Sequence, residues 1–368
     1  MRKRDFFMQN TYDLKHTHIA KGFFILVMIF HHVFAVQMNY WINFASPNTP
    51  DFNVQIIELA SYGKVCVGGF CFLSAYGMTT KLKSIPNLKY KNLTVSRLVK
   101  LYFSFWPIYI LGLIGTFFWG NTPVSAIYAS PATGSFSCFL PLMDALGFSN
   151  LLSLGTLNRS WWYIGAAVFI IILTPLFYKL FLRFGYIFAI LVCILPYIIG
   201  TNTYSILFTI TMLGIIFAHK DILSAVKTKL SKHHTTKILS YILVIVGLFL
   251  SFAVASITSI SSAMPVSTII CIFFCYIILS DIPIVQTILE FIGKHSANIF
   301  YLHSFIYLYW FTYTIYSLKN KLVIYCVVAA ISLFISVAVE FTKKLVHYNQ
   351  LQQVVITHLT KPICKKDS

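Results

Sequence analysis

The chain has 368 residues, 58% of them hydrophobic and 10% charged, with a mean hydropathy of +0.78. One charge per ten residues cannot clothe a water-exposed surface of this size, which excludes a soluble enzyme. A net charge of +18 would suit a nucleic-acid partner, but the placement of the charges points to a membrane instead and none is expected.

In chain order, mostly apolar runs lie near residues 18–36, 61–79, 98–119, 161–178, 184–200, 203–218, 238–256, 264–280, 298–316 and 322–342. Each suits a hydrocarbon core of about 30 Å, so the sequence predicts an all-α integral membrane protein of about ten transmembrane helices. Alternating from an inside start puts 24 of the 28 Lys and Arg inside, leaving Lys64, Arg159, Lys319 and Lys321 outside. That asymmetry places both termini in the cytoplasm. The opening MRKR precedes the first run without a small-residue cleavage site, so the first helix is expected to be retained. The whole of 1–368 reads as one transmembrane unit, with a cytoplasmic segment over 1–17 and a tail over 343–368.

The lysine-rich loops at 80–97 and 219–237 read first as topology signals and second as contacts to anionic lipid. The segment 120–160, with Pro123, Pro131, Pro141, Gly134 and Gly147, is a lid, a re-entrant piece or a surface loop. No internal repeat is visible, which argues against an inverted-repeat transporter. Of the eight cysteines, Cys66, Cys71, Cys193, Cys271, Cys275 and Cys326 lie in apolar runs, and Cys138 stands alone in an outside loop. Neither a disulfide framework nor a metal site is expected from that spacing.

Chemistry-bearing residues begin in KGFFILVMIFHH. Lys21 and His32 are eleven residues apart, nearly three turns, so they share a stripe of the first helix roughly 16 Å apart along its axis. A histidine at that depth needs a cavity or a polar partner. His31 points off the stripe and reads as a packing residue. In SRLVKLYFSFWP, Arg97 and Lys100 are neighbours on one helix face. Such a pair suits phosphate groups or snorkelling at the inner interface. In GGFCFLSAYGMTT, Gly68, Gly69 and Ser74 suit close helix approach. Arg159, Trp161 and Trp162 mark the outer interface, where an aromatic belt or a stacked sugar explains the indoles. His295 falls in a loop, His303 lies inside the next helix, and Glu340 has Lys343 and Lys344 one turn on.

Together these pieces resemble membrane acyltransferase family 3, whose members O-acylate surface polysaccharides and related glycans. Lys21 and His32 match its opening basic-x10-His pattern, Arg97 and Lys100 its Arg-x-x-Arg, and GGFCFLSAYGM its glycine-rich second helix. WWYIGAAVF is similar to its tryptophan-led helix, GKHSANIFYLH to its late Gly-Lys-x-Ser…Tyr-Leu-x-His signature, and Glu340 to its terminal glutamate. Departures are Lys100 for the second arginine, which loses the planar fork, Ala75 for glycine, Ala166 and Ala167 where an acid is common, and no proline after Glu340.

The resemblance implies acyl-CoA, most simply acetyl-CoA, as co-substrate, bound by Lys21, Arg97 and Lys100, with its phosphates near Arg97 and Lys100 and its flexible arm along the Lys21–His32 stripe. It implies His32 as catalytic base or acyl carrier, with His31, Ser74, His303 and Glu340 as accessory residues. The glycan acceptor would arrive beside Arg159, Trp161 and Trp162 in a multi-pass cell-membrane protein of a bacterial envelope. Exporting a glycan precursor, or polymerising lipid-linked sugars, are the rival readings of the same helices.

Overall fold

The computed structural model describes residues 12–36, 50–230 and 233–360, with the side chains of 50–55 left aside. Arg2, Lys3, Arg4, Lys232, Lys361, Lys365 and Lys366 lie outside the described residues. Of the described residues, 84% are helical. Among the described residues the only extended pairing is one antiparallel bridge between Ala129 and Phe136.

The first helix, α1 (Leu14–His31), starts where Asp13 accepts the backbone N–H of His16 at 3.0 Å, and it continues as a π-turn over His32–Val36. Then follow α2 (Pro50–Tyr62), α3 (Val65–Ser84), α4 (Tyr90–Trp119), α5 (Val124–Ile127), α6 (Phe139–Ala145) and α7 (Trp162–Ile199). Next come α8 (Thr203–His219), α9 (Ile222–Leu230), α10 (His234–Ile257), α11 (Ile260–Phe273) and α12 (Pro283–Lys294). The chain ends with α13 (Ser296–Ser304), a π-turn over Phe305–Trp310, α14 (Thr312–Tyr316), α15 (Lys321–Leu345) and α16 (Tyr348–Thr360).

Among the described residues, seven helices are long and apolar enough to cross a membrane, or eight if α8 and α9, bent by 61°, form one span. The run Arg159–Ile199 covers 41 residues, roughly 60 Å of helix and about twice a bilayer core. It breaks at Gly185 (φ 60°, ψ −143°), a backbone state that only glycine adopts without strain. The sequence reading of two helices there agrees with that break. Its 298–316 helix is instead three pieces, because a π-turn interrupts it. Many exposed side chains of α7 and α10, among them Ile187, Ile198, Phe249 and Leu250, are apolar. That surface suits lipid rather than water.

α1 lies at the centre. It crosses α12 at Gly22 and Gly293, where a Cβ on Gly22 would overlap the Leu289 carbonyl and one on Gly293 the His18 carbonyl. Small residues let the two backbones meet, the usual device of helix pairs in membranes. Phe24, Phe72, Phe105, Trp161 and Phe305 form one buried core around this axis.

The open question of 120–160 resolves into an ordered cap. Asp144, 1% exposed, accepts from Tyr128 Oη at 2.6 Å, Thr156 Oγ1 at 2.7 Å and the Leu157 N–H at 2.9 Å. Burial pushes its carboxyl pKa up, while those donors oppose the rise. Tyr102 and Trp106 of α4 donate to the carbonyls of Leu146 and Ala145 and tie the cap down. Asp144→Ala leaves three donors without their acceptor, at about 1–3 kcal/mol for each that stays buried. We expect a clearly lower unfolding temperature in detergent for this variant, and a smaller drop for Asp144→Asn, which keeps one acceptor oxygen.

Candidate active site

Two chambers open on α1. The first, of about 490 Å³, is lined by Lys21 of α1, Ser74 and Lys81 of α3, Arg97 of α4, Tyr163 of α7 and Phe300 of α13. It gathers three cations with hydroxyls. Lys81 was read from sequence only as a topology lysine. Its signal lies in spacing, since Ser74, Gly77, Lys81 and Ser84 recur every three to four residues along one face of α3, and all four line the chamber. Lys100 is exposed and outside the chamber wall.

The second chamber, about 960 Å³, is lined by His31, His32, Lys64, Arg159, Ser160 and Trp162, with Thr122, Thr156 and Leu157 contributed by the cap. Trp161 is fully buried instead. Its Nε1–H donates to the Tyr301 carbonyl at 2.8 Å, and its ring packs edge-on against Phe105 with centroids 4.8 Å apart. Of the two indoles expected beside an acceptor, the structure therefore leaves Trp162. His31 uses Nδ1 on the Ala60 carbonyl at 2.8 Å, as a packing residue does. Glu340 accepts from Asn298 Nδ2 at 2.8 Å and Lys343 Nζ at 2.6 Å, away from both chambers, and is part of a structural tie. His295, which the sequence puts in a loop, has its Nδ1 2.9 Å from Ser336 Oγ.

The decisive contact joins residues 271 positions apart. His32 Nδ1 lies 2.6 Å from His303 Nε2, with the rings stacked at 11° and centroids 4.9 Å apart. His303 Nδ1 sits 2.9 Å from the Phe300 carbonyl and 3.1 Å from that of Ile299. A carbonyl only accepts, so His303 Nδ1 carries the hydrogen and, in the neutral ring, Nε2 accepts. His32 Nδ1 must then be the donor. The remaining nitrogen of His32, Nε2, is left with a lone pair, the arrangement a base or nucleophile needs. Ser304 Oγ, 3.2 Å from His303 Nε2, lies 2.7 Å from Ser160 Oγ on the chamber wall. Each histidine also sits next to a π-turn, a local distortion that recurs at functional sites.

The chambers approach each other without joining. Between Lys21 and His32 the stripe of α1 carries Ile25 and Met28, both buried. Phe300, on the Lys21 side, has its ring centroid 6.4 Å from that of His303, and Tyr163 lies 5.9 Å from Trp162 in the same measure.

A comparison with known families identifies the chemistry. The family profile of the type 3 acyltransferase domain matches residues 18–341. The chain belongs to acyltransferase family 3. No curated protein and no solved structure shows significant similarity to it. The matched span takes in every candidate residue from Lys21 to Glu340. This membrane acyltransferase thus carries a cationic chamber and a separate chamber with an imidazole pair on its wall.

Proposed function

We propose that this acyltransferase moves an acetyl group from cytoplasmic acetyl-CoA to a hydroxyl of an extracytoplasmic cell-surface glycan. The observation that carries the reading is the pair of chambers at the two ends of the Lys21–His32 stripe, one cationic and one presenting a free imidazole nitrogen. In this reading about ten crossings leave both termini cytoplasmic, so the Lys21 chamber faces the cytoplasm and the His32 chamber faces outward.

The donor's phosphates bind Lys21, Lys81 and Arg97 through charge-assisted hydrogen bonds. Its thioester arm passes the Phe300 layer to reach His32. The acceptor hydroxyl gives its proton to His32 Nε2 as its oxygen attacks the thioester carbon. The C–O bond forms, the C–S bond breaks, and the departing thiolate takes the proton from His32, giving an ester and free CoA thiol. The same lone pair would let His32 carry the acyl group transiently. His303 acts as a positioning residue, holding the His32 tautomer. Membership of an acyltransferase family favours transfer over glycan export.

The test is label transfer. Protein in lipid vesicles receives acetyl-CoA labelled in the acetyl group, together with envelope glycan. Base-labile label on the glycan is expected, and a glycan that stays unlabelled while the protein is folded would sink the proposal. Within the donor chamber, Lys81→Ala is expected to raise the KM for acetyl-CoA about tenfold or more, whereas Lys100→Ala shifts it by no more than about twofold. Steady-state kinetics on the two variants decide between them.

A further inference from the structure

We infer that the acceptor is an anionic glycan, bearing a carboxylate or phosphate close to the hydroxyl that is acylated, and that Lys64 and Arg159 read that charge. This deepens the acyl-transfer reading above and rests on it.

The His32 chamber is one-sided in charge. Lys64 and Arg159 line it together with the two histidines, and no Asp or Glu is among the described residues that line it. Neither cation forms an ion pair with any described carboxylate. The one acid of the cap, Asp144, is buried and already occupied by Tyr128, Thr156 and the Leu157 N–H. Among the described residues no carboxylate balances these two cations, so a bound anion is the natural counter-charge.

Topology sharpens the point. Lysine and arginine are disfavoured on the outer side of a membrane protein, and only four of the 28 fall there in the ten-helix arrangement. Two of those four line this chamber. A stray interface anchor needs no such convergence.

Both residues are held by fixed backbone. The Arg159 N–H donates to Tyr309 Oη at 2.9 Å, and its neighbours are pinned through Asn158, whose Oδ1 accepts the Ser160 N–H at 2.9 Å. Lys64 immediately follows Gly63, whose position packs against the His31 Cβ, and the Lys64 N–H donates to the Ser61 carbonyl at 3.2 Å. The α2–α3 turn thus holds Lys64 beside the imidazoles, while Arg159 enters from the start of α7. Trp162, three residues from Arg159, offers a face on which a sugar ring can stack. An arginine fork and a lysine point charge converging on one chamber suit a carboxylate or phosphate oxygen.

The same anionic oxygen could belong to a lipid headgroup at the outer surface, so the test separates the two. Envelope glycan is stripped of lipid, partially depolymerised and split on anion-exchange resin into neutral and anionic pools. Each pool is offered with labelled acetyl-CoA to the protein in nanodiscs of phosphatidylcholine. Label is expected in the anionic pool at about 10- to 100-fold the rate of the neutral pool. Lys64→Gln with Arg159→Gln should erase that preference, and Arg159→Lys should keep most of it. Equal or greater labelling of the neutral pool by the wild-type protein overturns the inference while acyl transfer itself stands, as does a preference that survives the double substitution. A preference that emerges only when phosphatidylglycerol is added assigns the cations to headgroups and overturns it too. Label in neither pool, with acetyl-CoA left intact, is the separate failure of the acyl-transfer reading.

Discussion

His32→Ala is expected to lower acyl transfer by about 10²- to 10⁴-fold, the usual contribution of a positioned base, with little change in the KM for acetyl-CoA. The separation of the two parameters follows from geometry, because His32 lines one chamber and the cations Lys21, Lys81 and Arg97 line the other. His303→Ala should fall between wild type and His32→Ala. It leaves the His32 ring in place but removes the acceptor that holds its Nδ1–H, so the ring is free to rotate or to adopt the other tautomer. His303→Gln is the informative partner, since its side-chain oxygen can accept from His32 Nδ1 and should restore part of the rate. If His303 were merely filling space, alanine and glutamine would instead track each other and thermal stability. Rates at saturating acetyl-CoA, read beside unfolding temperatures, distinguish these cases.

The second large effect is expected at Arg97. Arg97→Ala removes a planar fork from a chamber whose remaining cations are two lysines, and should raise the KM for acetyl-CoA about 10- to 100-fold with a much smaller change in kcat. Arg97→Lys keeps the charge but loses the bidentate geometry, so an intermediate KM is expected. Loss of kcat without loss of affinity would place Arg97 at the reacting atoms and contradict the two-chamber arrangement. Titration of CoA binding by calorimetry checks the affinity directly.

Much of this was legible in the sequence, for identifiable reasons. Helical periodicity put Lys21 and His32 on one stripe, and the structure gives each a chamber. The gap between the apolar runs 161–178 and 184–200 falls beside the break that Gly185 makes. The partner of His32 could not be read that way. His303 is 271 residues away, and only folding brings an accepting Nε2 to a donating Nδ1. Trp161 and Trp162 look equivalent in sequence, but the short 3-10 turn over Arg159–Trp161 sends one indole into the core and leaves the other on the chamber wall. Lys64 and Lys81 read as topology signals because charge asymmetry is a property of loops and helix ends, whereas lining a cavity is a property of several helices at once. The cap over 120–160 was illegible for the same reason, since Asp144 finds its partners across turns that have no periodicity.

The measurement that tests the central claim most directly is release of free CoA thiol from acetyl-CoA by purified protein in detergent. Wild type, His32→Ala and Arg97→Ala are compared, each shown to be folded by its unfolding transition. The expected result is turnover in the wild type, its loss in His32→Ala with acetyl-CoA binding retained, and weakened binding in Arg97→Ala. A folded wild-type protein that neither binds nor cleaves acetyl-CoA, or a His32→Ala variant that cleaves it at the wild-type rate, would contradict the account.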